Sequence, residues 1–420
     1  MSKPYCIFVL SIIFYLPWSN ASSWSNWLGP NYTGSIDGAD IEPPAAGTEY
    51  LQLWVNKIGT GWSSPIVTQG KVILHDRLGG FERVQCLDAL TGDKLWEHSF
   101  ESDYRDNFGM SSGPRSTPGV KNGIIVTHSP NGLVHGISLA GGDVLWKRDL
   151  RAEYQSPKGF FGRCSSPLLI GKKAILEVGG EQAGIVAFSL QNGETLWESI
   201  PRAADYASCV PFKYKNADLI LNFMRDGLIA VDALTGKERF FSSFRSQINA
   251  SVHAATPLVI GDTVFLSACY ELGASVWRLT GENDKSFSSM FTKRWAKKGV
   301  LDSHYSTPVY YQGYLFGVHG RQEHRPQLRC IELSSGTVQW SKEGLGAGNL
   351  LRVGNKIIFL SETGELILFQ AQSKSFDILH RQQVLGRGRA HFAFSEGMLF
   401  LRDERRLVSI QISPTNFPNL

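Results

Sequence analysis

The sequence predicts an all-β fold, an eight-bladed β-propeller of four-stranded antiparallel blades, on three observations. A small residue, a proline and an apolar run recur about every fifty residues. A strand–turn–strand unit ending in an aromatic residue recurs in step with them. No long segment carries the 3.6-residue apolar period of an amphipathic helix.

The first register reads Ser64-Pro65-Ile66-Val67, Thr117-Pro118, Ser166-Pro167-Leu168-Leu169, Val210-Pro211, Thr256-Pro257-Leu258-Val259 and Thr307-Pro308-Val309, with proline-free copies at Asn349-Leu350-Leu351 and His391-Phe392-Ala393. The second reads Leu87-Asp88-Ala89-Leu90-Thr91-Gly92 leading to Trp96, with equivalents leading to Trp146, Trp197, Phe240 and Trp340. The first unit resolves into strands at about 65–68, 71–76, 83–88 and 94–100, joined at Gln69-Gly70, Gly79-Gly80 and Thr91-Gly92, where glycine takes the positive φ of tight hairpins. A single such sheet cannot bury both faces, so the units must stack in a ring.

Eight starts are present, but the last unit holds only three obvious strands, His391–Phe394, Met398–Arg402 and Leu407–Ile412. The missing one is expected at Tyr50–Val55, with Trp54 in the place of the blade tryptophan. An N-terminal strand that completes the last blade closes the ring and removes a free sheet edge. The expected organisation is an export signal over 1–21, a lead-in segment over 22–49, the propeller over 50–413 and a short tail over 414–420.

Composition narrows the function. Over 420 residues, charged residues make up 19% and the formal net charge is +4, too small and too dispersed for a nucleic-acid surface. The densest basic run, Lys293, Arg294, Lys297 and Lys298 around Trp295, reads as a solubilised edge strand. Lys3, the apolar run Cys6–Leu16, Pro17 and the small residues Ser19-Asn20-Ala21 have the layout of a signal peptide cut near Ala21. The expected location is therefore the periplasm or the exterior, with no membrane span after cleavage. The mature chain keeps Cys86, Cys164, Cys209, Cys269 and Cys330, none in a CxxC pair. Cys86 and Cys330 occupy matching strand positions and read as small buried residues, while a bridge between Cys164 and Cys209 is left open.

The repeated Asp/Ser-x-x-Thr/Asn-Gly-x-x-x-Trp pattern with its Ser-Pro strand starts resembles the tryptophan-docking repeat of the pyrroloquinoline-quinone (PQQ) propeller superfamily. That resemblance covers nearly all of the mature chain, including a lead-in segment around Trp24-Ser-Asn-Trp27. It implies that Trp54, Trp96, Trp146, Trp197, Trp295 and Trp340 lock neighbouring blades, with Phe240 as a substitute. It also implies two functional classes: quinoprotein dehydrogenases that hold the quinone and calcium on the axis, and cofactor-free relatives such as the propeller lipoprotein of the outer-membrane β-barrel assembly machine. This chain lacks the vicinal cysteine pair of many of the dehydrogenases, and their calcium ligands and catalytic aspartate cannot be placed by motif.

Propeller geometry gathers the residues leading into each innermost strand around one mouth of the central channel: Trp62, Arg115, Arg163, Tyr206, His253, His304 with Tyr305, Asn349, and Arg389 with His391. Arginine offers paired hydrogen bonds to carboxylate, phosphate or sulfate, and aromatic faces stack on sugars or cations. This ring is the candidate ligand site, with an anion or glycan as the expected ligand. Glu181 and Glu271, on inner hairpin turns, would be the carboxylates for a hard cation if they leaned inward, but no metal site is expected. There is no HExxH, GxSxG, phosphate loop or dinucleotide fingerprint. The function expected is a non-catalytic binding or scaffolding module of the cell envelope, monomeric, without cofactor, whose partner is an envelope protein or a polysaccharide. The alternative is a PQQ- and calcium-dependent alcohol or sugar dehydrogenase.

Overall fold

A computed structural model describes residues 23–215, 217–280 and 290–413. The expected signal peptide with its cleavage site, Cys6, and the tail from 414 onward lie outside the described residues. Eight sheets stand around an axis, each built on a four-stranded antiparallel meander; in blades 1 to 7 the first strand of the meander is innermost, and blade 8 takes its outer strand from the N-terminal side. In blade 1 the strands are Ile66–Thr68, Lys71–Leu78, Phe81–Asp88 and Lys94–Glu101. The middle strands are longer than the sequence pattern suggests because pairing continues to a two-residue turn at Gly79-Gly80.

Ring closure is direct. Leu51–Lys57 pairs antiparallel with Arg406–Gln411 and forms the outer strand of blade 8, whose remaining strands are Met398–Arg402 and Ala393–Ser395. The innermost strands of blades 8 and 1 then lie side by side. The only helix among the described residues is the single turn Leu150–Tyr154, and no described helix is long and apolar enough to cross a membrane.

The repeated aromatic does the same job in six blades. The indole Nε1 of Trp54, Trp96, Trp146, Trp197, Trp295 and Trp340 donates to a backbone carbonyl of the next blade, on Ala89, Leu139, Leu190, Ala233, Leu333 and Gln372, at 2.8–3.2 Å. Five of these rings also lie under the turn glycine of that next blade. A Cβ on Gly92, Gly142, Gly193, Gly236 or Gly336 would come within 2.4–3.2 Å of the ring, so the Thr/Asn-Gly turn and the tryptophan are one device split across two blades. Phe240 packs instead against Phe291 of blade 5, and in blade 7 His380 stands at this position, edge-on to Tyr50.

The same device explains two of the cysteines. The residue directly across from the aromatic is small or slender: Cys86 opposite Trp96, Gly136 opposite Trp146, Ala187 opposite Trp197 and Cys330 opposite Trp340. A Cβ on Gly136 would sit 2.2 Å from the Trp146 ring. Every outer strand also carries a bulge one residue before the aromatic, which turns that ring toward the neighbouring blade.

The Ser/Thr-Pro register has a second purpose. The amide of Ser64 donates to the hydroxyl of Thr117, Thr117 to Ser166, Ser166 to Ser208, Ser208 to Thr256 and Thr256 to Thr307, at 2.8–3.4 Å. These bonds run from blade to blade around six inner strands. They also correct the alignment of blade 4: its register residue is Ser208, two positions before the Val210-Pro211 motif. Pro211 lies inside an innermost strand, Val210–Tyr214, where an edge position tolerates the missing amide proton.

Candidate functional site, an aromatic axial cavity

One end of the channel is closed by the lead-in segment. Trp24 bridges to Val67 of blade 1, the Ser25 carbonyl accepts from Val120 of blade 2, and Trp27 Nε1 donates to Thr256 of blade 5 at 2.9 Å. Ser35–Ile36 then adds a parallel strand to the inner edge of blade 7, where Arg352 pairs with Asp37 and Lys356 with Asp40 and Glu42. Trp27 itself lines the cavity and stands edge-on to His391, so the segment forms a floor. Above it is a cavity of about 580 Å³, walled by the loops that lead into those strands.

Of the eight ligand-ring residues expected from the sequence, Trp62, Arg115, Tyr206, His304, Arg389 and His391 line this cavity, together with Tyr305 and Asn349. Arg163 and His253 do not. Arg163 turns away and is spent on the Ser156 hydroxyl and the Ser156 and Pro130 carbonyls; burial pulls its guanidinium down to about 10. His253 stacks on Phe223 at 4.0 Å, with Nδ1 against the Met224 carbonyl; burial pulls it down to about 4 and keeps it neutral. Both positions fall at the right point of the repeat, but blades 3 and 5 use them to tie loops together. Glu181 and Glu271 do not line the cavity either.

The lining residues are committed to one another. The Arg115 guanidinium lies 4.7 Å from the Trp62 ring centroid, pairs with Asp106 at 3.0 Å and donates to the carbonyls of Phe161 and Ser111. Arg389 lies 4.9 Å from the Trp62 ring and pairs with Glu362 at 3.0 Å, which also accepts from Tyr305 Oη at 2.7 Å. His304 is held between Tyr270 Oη and Gln322, and burial pulls its pKa down. Tyr206 Oη accepts from the amides of Phe160 and Phe161. His391 has both ring nitrogens against backbone groups and stacks on Trp24, so it belongs to the floor.

Sequence reasoning missed the rim. Phe108, Phe160 and Ile248 stand at the mouth with 53%, 38% and 39% of their surface exposed, and Phe161 packs between Phe108 and Tyr206. They sit on inter-blade connections outside the strand repeat, where self-comparison has nothing to align. Their only signal is Phe160-Phe161 in a polar loop.

The five described cysteines are all free, and no bridge joins Cys164 to Cys209. The Cys164 thiol faces the Phe161 and Gly162 carbonyls, while Cys209 receives Asn222. Burial pushes all five thiols up to about 12. The native protein should therefore resist alkylation at pH 8 while the urea-unfolded chain reacts at once, read by intact mass. Rapid native labelling of Cys164 would contradict this burial.

The cavity does not suit the calcium–quinone pair of the dehydrogenases. Calcium needs six to eight oxygens, yet the one carboxylate on the lining among the described residues, Glu323, is engaged by Arg321 and Gln322. Glu362 is taken by Arg389 and Tyr305, and no group of three or more potential metal ligands occurs among the described residues.

A ring of four-stranded blades with indole docking and a blind axial cavity defines a PQQ-type propeller repeat protein. The family model described as outer membrane protein assembly factor BamB matches residues 80–342, more than half of the chain, and the chain belongs to that family. A curated relative, outer membrane protein assembly factor BamB of Burkholderia pseudomallei, is 24% identical over 193 residues, 44% of this chain and 44% of its own. The chain spans about half the length of the curated relatives it matches. Among solved structures, BamB from Moraxella catarrhalis superposes with a TM-score of 0.62 at 13% identity, covering 86% of this chain and all of that one. A europium-containing methanol dehydrogenase gives 0.65 at 9% identity, over 91% of this chain and 89% of its own. At those identities the two structures share the fold and carry no functional statement.

Proposed function

We propose that the protein is an exported, non-catalytic scaffold of the bacterial cell envelope that presents the cavity face of its propeller to an envelope protein. Membership of the BamB family supports the envelope setting, and the chain's N-terminal sequence, with its charged start, apolar run and small residues before Ala21, supports export. The observation that carries the non-catalytic reading is the pairing inside the cavity. Arg115, Arg321 and Arg389 each face a carboxylate of the same chain, and His304 is engaged by Tyr270 and Gln322, so these described titratable groups of the cavity are held in pairs rather than poised for proton transfer. The relatives named as assembly factors of outer-membrane proteins make that machinery the first partner to test.

The test is co-purification from cross-linked envelopes with a tag at the C-terminus, compared with a version lacking residues 1–21. The full chain should bring down outer-membrane assembly proteins in stoichiometric amounts. Recovery of the full chain from the cytoplasmic fraction without such partners would overturn the reading.

A further inference from the structure

We propose that the axial cavity docks an extended segment of a partner polypeptide that carries an aromatic side chain beside an acidic residue. This rests on the scaffold reading and gives the chemistry of the segment it would hold.

The rim decides the kind of occupant. Phe108, Phe160 and Ile248 remain exposed outside a cavity that is itself walled by Trp62, Phe161 and Tyr270. A small molecule lodged inside would leave that rim in water, whereas a polypeptide covers cavity and rim together. A glycan is disfavoured by the internal pairing. The hydroxyls of Tyr206, Tyr270 and Tyr305, the ring of His304 and the Arg389 guanidinium already have partners, so sugar hydroxyls would be desolvated with little in return.

Charge decides the flanking residue. Among the described residues three guanidinium groups, of Arg115, Arg321 and Arg389, reach the lining, but only one carboxylate does, that of Glu323. Asp106 and Glu362 neutralise their arginines from outside the lining. Arg115 Nε is buried with no hydrogen-bond partner. The guanidinium groups of Arg115, Arg321 and Arg389 thus line the cavity while the Asp106 and Glu362 carboxylates that pair with two of them do not, an asymmetry that complements an acidic side chain next to an inserted ring.

The test uses the full mature protein and blocked synthetic peptides carrying a tryptophan between two aspartates, followed by calorimetry. Replacing the peptide tryptophan by alanine should weaken binding at least about thirtyfold, and replacing the aspartates by lysines about tenfold. Phe160→Ala and Arg321→Glu, both at partly exposed positions, should each weaken the parent peptide about tenfold with an unchanged melting curve. Equal binding of the alanine peptide, or indifference to both protein variants, would overturn the proposal. So would a maltooligosaccharide that binds in a Phe160-dependent way while the peptide does not. A photo-cross-linker at Phe160, and another at Leu379 on the outer strand of blade 7, separates this proposal from the scaffold reading. Products with an envelope protein at Phe160 support docking at the cavity. Products at Leu379 alone overturn the cavity site but keep the scaffold, and none at either position overturns both.

Discussion

Replacing Trp54 by alanine is expected to destabilise the whole propeller by about 3–5 kcal/mol, the usual range for truncating a large buried aromatic. Trp54 belongs to the strand that completes blade 8 from the N-terminal side, and its ring reaches forward to blade 1. It is 8% exposed, donates to the Ala89 carbonyl at 3.0 Å and lies under Gly92. The truncation leaves a buried carbonyl unpaired and a void under a glycine turn that cannot collapse into it. Because this contact spans the point where the two ends of the chain meet, its loss should also free the last blade. Urea denaturation, with protease sensitivity of the 393–413 region as a second readout, measures both effects. Leu95→Ala, at an exposed bulge residue of blade 1, is the control and should stay within about 0.5 kcal/mol of the parent. Equal midpoints for Trp54→Ala and Leu95→Ala would mean that ring closure does not depend on this indole.

Arg402→Met should cost a similar amount, about 3 kcal/mol or more, for a different reason. The Arg402 side chain is 1% exposed, yet among the described residues its hydrogen bonds go to backbone carbonyls rather than to a carboxylate. Its guanidinium donates to the carbonyls of Gly59, Ser63, His75 and Asp403, gathering blade 8 and blade 1 around one cation, and burial pulls its pKa down. Methionine fills the volume but leaves those carbonyls without a donor in a site closed to water. Arg402→Lys should recover only part of the loss, since one ammonium cannot match the planar fork. The measurement is the urea midpoint of the three proteins, and an Arg402→Met midpoint equal to the parent would remove the cation from the account of closure.

The two closure contacts differ in how far the sequence announced them. Trp54 stands out in the sequence because it repeats: the same indole recurs before Thr/Asn-Gly turns, and its early position pointed to a strand borrowed from the N-terminus. Arg402 has no equivalent in other blades, so no comparison within the chain singles it out. The same distinction runs through the cavity. Trp62, Arg115 and Arg389 are found because they occupy one point of the repeat, and point-of-repeat fixes location. It does not fix orientation: Arg163 and His253 hold the same point but are captured by neighbouring carbonyls before they reach the axis. The floor and rim were hidden for a third reason. Trp24 and Trp27 precede the first blade, and Phe108, Phe160 and Ile248 ride on connections of unequal length, so their meeting on the axis is a product of the closed ring. The pairing that neutralises Arg389 is likewise tertiary, since Glu362 and Arg389 belong to different blades.

The proposed scaffold role requires that this PQQ-type propeller act without the quinone. Calorimetric titration of the purified mature protein with pyrroloquinoline quinone and calcium tests it most directly, with dye-coupled oxidation of simple alcohols and sugars followed on the same samples. The paired arginines and the poor oxygen donor set of the cavity predict no binding heat at high micromolar quinone and no dye reduction. Stoichiometric binding with turnover would contradict the account and make the protein a quinoprotein dehydrogenase.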